Sequence, residues 1–229
     1  MFTDTILEVS KWGHAFAPDT PGYGQSTPLS GEVDVPSLAK QLIKAIRVWS
    51  LDQKVIVCGV HTGASLAVEI AHQAPEICEA IYLVGLPSYS DEVRETRLKT
   101  YAPGIEIQES GAHLAWAWDR YVKMWPTATL DQVQLATADI IYSLERYNTG
   151  YLAAFKYRAE DVLAKLQCPV TLSAAENEFL YEGNQALALQ LGIKFHAFPG
   201  IDWQGQVPLR NSAELGLELK SFAAEALGA

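Results

Sequence analysis

The stretch Lys54-Val55-Ile56-Val57-Cys58-Gly59-Val60-His61-Thr62-Gly63-Ala64-Ser65-Leu66-Ala67-Val68-Glu69-Ile70-Ala71 constrains the fold of this chain more than any other. A β-branched run ends on Gly59, and helical spacing starts as soon as Gly63 has passed. That order predicts a buried strand, a very tight turn and a helix. The two glycines supply room in the turn, where a side chain at either position is expected to strike the neighbouring strand or the helix's first turn. His61 stands between them, at the tip.

The remaining pattern is of the same kind. Apolar residues at Leu38, Leu42, Ile43, Ile46 and Trp49 predict an amphipathic helix that begins at Pro36-Ser37. A helix from Ala64 to about Gln73 ends before Pro75, and Ala80 to Leu86 reads as a buried strand closed by Pro87. His14 to Ala17 reads as a short strand after a helix over about Thr3 to Lys11. From Ser88 to Leu166 the spacing turns helical with no clear strand. Strand composition returns at Cys168 to Ala175, followed by a helix over Asn184 to Leu191, a last strand over Lys194 to Phe198 and a closing helix over Ala213 to Leu227. Alternating strands and helices predict an α/β fold with a mostly parallel sheet flanked by helices.

Length and charge narrow the function classes. A chain of 229 residues with 49% hydrophobic side chains supports one sizeable core. A net charge of −10 repels nucleic acid and anionic membrane, so neither is expected as a partner. Cys58, Cys78 and Cys168 lack metal spacing and are expected to be reduced and mostly buried. No apolar run approaches the roughly 20 residues of a membrane span, and no basic leader is present, so the expectation is a cytoplasmic protein without a cofactor.

The spacing Gly59-x-His61-x-Gly63 resembles the nucleophile elbow of α/β hydrolases, Gly-x-Ser-x-Gly, with His61 in the nucleophile's place. Pro18-Asp19-Thr20-Pro21-Gly22-Tyr23-Gly24-Gln25-Ser26 is a second resemblance, to a loop that follows the fourth sheet strand in many members. Asp19 there is open to a catalytic reading and to a structural one, in which its carboxylate caps loop N–H groups as short acids do in turns. The resemblance implies a core of residues 1–87 and 167–229 and a helical lid of residues 88–166. It also implies a fold truncated at the N-terminus, since the family's first strands and their oxyanion segment have no counterpart. The missing strand leaves two outcomes: the His14 to Ala17 strand pairs with the elbow strand, or a second copy covers that edge in a homodimer.

The same resemblance nominates site residues. His61 at the elbow tip can serve as general base, nucleophile or donor, and the Thr62 backbone N–H points at an oxyanion. After the Cys168 to Ala175 strand, Glu178 is the nearest match to the family's acid and Glu176 the second, although solvated loop acids remain the other reading. Trp118, Tyr121 and Trp125 share a face of one helix, which either packs on the sheet domain or roofs an apolar pocket. Gly200-Ile201-Asp202-Trp203-Gln204-Gly205-Gln206 holds no His where the family has its catalytic one, and Trp203 joins the candidate substrate contacts. A metal bound by His61 with Glu176 or Glu178 lacks any recognised ligand spacing, so no metal is expected. Two functions stand open: a hydrolase-type enzyme acting on a small apolar ester or carbonyl compound through His61, and a non-catalytic small-molecule-binding or interaction protein with a degenerate site.

Overall fold

The computed structural model describes residues 2–200 and 206–228. In chain order the elements are α1 (Thr3–Val9), α2 (Val35–Ser50), β1 (Val55–Val60), α3 (Thr62–Gln73), β2 (Cys78–Val84), α4 (Asp91–Thr100), α5 (Ala112–Met124), α6 (Leu130–Tyr142), α7 (Thr149–Lys156), α8 (Ala159–Leu163), β3 (Val170–Ala175), α9 (Tyr181–Leu191), β4 (Lys194–Phe198), α10 (Val207–Arg210) and α11 (Ser212–Leu227). The four strands form one parallel sheet in the order β1-β2-β3-β4.

Both faces of the sheet are covered, which explains why β2 reads as a nearly unbroken apolar run. Side chains alternate along a strand. Ile81 and Leu83 therefore face the cluster built with Ala67 and Val68 of α3, Leu163 of α8 and Leu187 of α9. Ala80, Tyr82 and Val84 face the other way, against Val9 of α1 and Leu215, Leu219 and Phe222 of α11. Thr5 closes that second layer by donating its hydroxyl to the Pro208 carbonyl at 3.0 Å. Behind α3, Leu38, Leu42 and Ile43 of α2 pack on Leu66 and Ile70. The start of α2 is fixed by a reciprocal cap: Asp34 accepts from the Ser37 N–H at 2.8 Å, and the Ser37 hydroxyl accepts from the Asp34 N–H at 3.1 Å.

The expected strand at His14 to Ala17 does not form. Phe16 is 63% exposed and stacks on Trp49 of α2 with ring centres 5.6 Å apart, and Pro18 removes the next ladder donor. Among the described residues no strand pairs with the outer edge of β1. Val55 donates to the Ile77 carbonyl and His61 to the Val84 carbonyl, each at 2.9 Å. Alternation then turns the main-chain groups of Ile56, Cys58 and Val60 toward that free edge. The three cysteines are free, and no described helix is long and apolar enough to cross a membrane.

The sheet's working edge is stitched to α9 by Asn184, which is fully buried. Its amide accepts from the Leu86 N–H at 2.7 Å and donates to the Leu86 carbonyl at 2.8 Å. Asn184→Ala orphans both main-chain groups, and the expected cost is about 2–4 kcal/mol. Urea unfolding should show a lower midpoint at an unchanged m-value; a midpoint equal to wild type would refute this role.

Candidate active site

The turn after β1 has the geometry that its glycines suggested, with one difference. A Cβ on Gly59 would run into the Gly63 carbonyl in the first turn of α3, whereas a Cβ on Gly63 would meet nothing within 4 Å. Only Gly59 is therefore needed for space. His61 has φ 49° and ψ −115°, a backbone conformation unusual for a residue with a side chain. Such conformations cost about 1–3 kcal/mol and persist where their surroundings hold them. Here the ladder bond from His61 to Val84 and the start of α3 hold it.

The strain aims the imidazole at the neighbouring strand ends. His61 Nε2 is hydrogen-bonded to Glu178 Oε1, across 117 positions of sequence. Glu178 lies in the turn between β3 and α9. Its N–H donates to the Ala175 carbonyl at 2.9 Å, and its own carbonyl accepts from the Tyr181 N–H at 3.0 Å. The carboxylate is 3% exposed and the imidazole 24%. Glu176, the second candidate, faces solvent. Gly85, at φ +61°, completes the cradle: a Cβ there would lie 2.6 Å from Glu178 Oε1 and 2.7 Å from His61 Cδ2. A ladder bond from its N–H to the Ser173 carbonyl, at 2.7 Å, fixes that glycine.

The bond to Glu178 decides which imidazole nitrogen is free. With Nε2–H donating to the carboxylate, the lone pair of the neutral ring sits on Nδ1. Gln206 Nε2 lies 3.4 Å from Nδ1. Next to the ring, Thr62 begins α3, where the first N–H groups have no intrahelical partner. The first N–H groups to bond back are those of Ala64 and Ser65, both to the His61 carbonyl. The N–H groups of Thr62 and Gly63 are thus available to an oxygen at the helix's positive end.

Burial pulls the His61 pKa down, but the charge and hydrogen bond of Glu178 outweigh it, and the net shift is upward.

The aromatic candidates sit farther out. Trp125 is buried with its ring 4.7 Å from that of Tyr121, and Tyr121 packs against the cluster of Ala102, Ala117, Ile140 and Tyr147. Trp118 is half-buried on the same helix. No hydrogen bond, ion pair or ring contact among the described residues links these three to His61 or Glu178. Trp203 lies outside the described residues. Asp19 does cap its loop, accepting from the Gln25 N–H at 2.9 Å, and Tyr23 of that loop accepts from the Gly150 N–H at 2.7 Å beside Thr62. His196 packs edge-on to Phe198 and faces Glu218 at 3.3 Å. Two open clefts, of about 470 and 630 Å³, lie elsewhere: one beside Pro21 and Trp49, the other beside Tyr89 and Leu191. Among the described residues no group of three or more His, Cys, Asp or Glu is placed to hold a metal ion.

Gln206 and Gly85 were not singled out from sequence. Gln206 lies 145 positions from His61, and the only local signal was its place after the last strand, where the resemblance asks for a histidine.

No protein-family model matches this sequence, and no curated protein matches it. Solved structures do. A thermophilic esterase from Thermogutta terrifontis superposes with a TM-score of 0.79 at 14% identity, over 98% of this chain and 85% of that one. The fold is that of the α/β hydrolases. An E-2-(acetamidomethylene)succinate hydrolase matches this α/β-hydrolase fold with a TM-score of 0.75 at 16% identity, over 100% of this chain and 86% of that one. An epoxide hydrolase does so with 0.72 at 14%, over 98% and 86%. At such identities the likeness concerns the path of the backbone, and chemistry has to be argued from the side chains.

The upward shift of His61 gives a signed expectation. With its folded pKa above the unfolded value, the pair's contribution to stability is complete below about pH 6.5 and is lost as pH rises through the folded pKa. In Glu178→Gln only burial remains, so the ring should titrate below 6.5. NMR titration of the His61 ring in both proteins tests this, and equal midpoints would contradict it.

Proposed function

We propose that this α/β-hydrolase-fold protein is an enzyme that hydrolyses a small ester or related carbonyl compound, with His61 as general base in place of a serine nucleophile. The observation that carries the reading is the buried His61–Glu178 pair on a strained turn. A conformation that costs stability and aims one imidazole at a buried carboxylate fits a working site better than a packing contact.

The chemistry follows from the two nitrogens. Nε2 is committed to Glu178, which fixes the tautomer and stabilises the imidazolium once formed. Nδ1 takes a proton from water as the water oxygen bonds to the substrate's carbonyl carbon. The oxyanion is met by the Thr62 N–H at the start of α3. Collapse expels the alkoxide, which recovers the proton from Nδ1. Gln206 lies against Nδ1 in the resting site and is placed to bind the attacking water once a substrate moves it aside. The helical segment between β2 and β3 roofs this edge of the sheet, with Gly150 of α7 against Thr62.

Against this stands a binding protein that keeps the fold and has lost turnover. It is favoured by the lack of a serine at the elbow and by the clefts that lie away from His61.

A turnover screen of short-chain p-nitrophenyl esters separates the two. The enzyme reading expects hydrolysis that resists a serine-directed fluorophosphonate and falls about 10²- to 10⁴-fold in His61→Ala. Absence of turnover in wild type would leave the binding reading, and turnover unchanged by His61→Ala would refute His61 as the base. Because the neutral ring is the base, kcat/KM should rise with pH along a limb set by His61. In Glu178→Gln that limb should move to lower pH.

A further inference from the structure

Two arginines of the helical segment are surrounded by rings instead of carboxylates. The Arg97 guanidinium of α4 lies 4.1 Å from the ring centre of Phe179, 4.8 Å from that of Tyr89 and 5.0 Å from that of Tyr101. Arg120 of α5 lies 5.4 Å from the same Tyr101 ring and 5.6 Å from Trp116. Its Nη1 donates to the Tyr101 carbonyl at 3.4 Å, and its charge acts on the buried Tyr151 hydroxyl. Among the described residues neither guanidinium has a carboxylate within ion-pair distance. Arg97 Nε and Arg120 Nη2 are buried with no hydrogen-bond acceptor among the described residues.

Arg94, one turn earlier on α4, also has a buried Nε without an acceptor among the described residues, and the contrast lies in its other partners. Arg94 donates to the carbonyls of Phe155 and Tyr157, both at 2.8 Å, and pairs with Glu160 at 2.9 Å. That arginine is a strut. In a chain with 27 acidic and 17 basic side chains, two half-buried cations that share the Tyr101 ring and have no acid beside them among the described residues go against the supply of partners. Aromatic faces offset part of the desolvation of a cation, but they accept no hydrogen bond in the plane of the guanidinium fork. An anion does.

The cage also adjoins the dyad. Phe179 directly follows Glu178, and the Tyr89 hydroxyl, pushed up to about 12 by burial, is within electrostatic reach of both Arg97 and Glu178. We propose that Arg97 and Arg120 form an anion subsite beside the His61–Glu178 pair, and that the substrate carries a carboxylate at the end of a short apolar chain. The planar fork of arginine suits a carboxylate, and Tyr89, Tyr101 and Phe179 offer faces for the methylenes. The substrate class is a half-ester of a small dicarboxylic acid, and water divides it into the diacid and an alcohol. Which bond is cut rests on the hydrolytic reading above; binding of the anion does not.

Calorimetric titration with succinate, glutarate and adipate tests the subsite without requiring turnover. The expectation is that at least one binds wild type and that affinity falls with added salt. It should drop 10-fold or more in Arg97→Gln and in Arg120→Gln, with partial recovery in Arg97→Lys. Turnover of mono-p-nitrophenyl glutarate should exceed that of p-nitrophenyl pentanoate in kcat/KM, and the ratio should collapse in the glutamine variants. If a variant fails to fold, the salt dependence and the substrate ratio of wild type still decide. Binding without turnover upholds the subsite and sinks the hydrolytic reading. Hydrolysis of p-nitrophenyl pentanoate, with no diacid bound and no preference for the glutarate ester, overturns the subsite and leaves hydrolysis standing.

Discussion

A buried carboxylate needs a strong hydrogen-bond donor, and at the carboxyl edge of this sheet Glu178 has the His61 imidazole within reach. That bond ties the turn after β1 to the turn after β3 and passes over the end of β2. Gly85 sits at that end because any side chain there would part the two. The elbow strain, the glycine between the strands and the Asn184 clasp under Leu86 all serve one geometry. Loosening any of them lets solvent reach a carboxylate that is now 3% exposed and weakens the interaction that raises the His61 pKa.

The pair is also a short circuit relative to the pattern that the sequence resembles. In that pattern a loop histidine stands between the elbow and the acid. Here His61 reaches the acid directly through Nε2, so the nitrogen left free is Nδ1 and the partner that faces it is an amide, Gln206. The arrangement pairs one imidazole with one buried carboxyl group. Its pH behaviour therefore belongs to the imidazole, tuned by burial and by Glu178.

Much of this was legible in the sequence. Strands β1 to β4 stand out as apolar or β-branched runs because a parallel sheet covered on both faces demands them. The Gly59-x-His61 turn was readable because short-range geometry fixes it, whereas Glu178 was nominated only by its place after the strand in the pattern that the sequence resembles. Other features depend on contacts that sequence spacing does not carry. His14 to Ala17 has strand composition, yet Phe16 settles against Trp49, 33 positions on. Trp118, Tyr121 and Trp125 have the spacing of a shared face, of which Tyr121 packs into the helical segment's own cluster and against Trp125. Arg97 and Arg120 look like ordinary surface cations until the fold places both against Tyr101.

One contact bears on how the chain is made. Helix α1 packs on α11 through Glu8 and Gly216, and Thr5 is bonded to Pro208. A ribosome adding about 5–20 residues per second delivers that partner roughly 10–40 s after α1 has emerged. Throughout that interval Val9 and the β2 face that it covers have no α11 to meet. During synthesis α1 must remain soluble by itself or be held by a chaperone until α11 is made, and the layer that the two helices share closes only after α11 has left the exit tunnel.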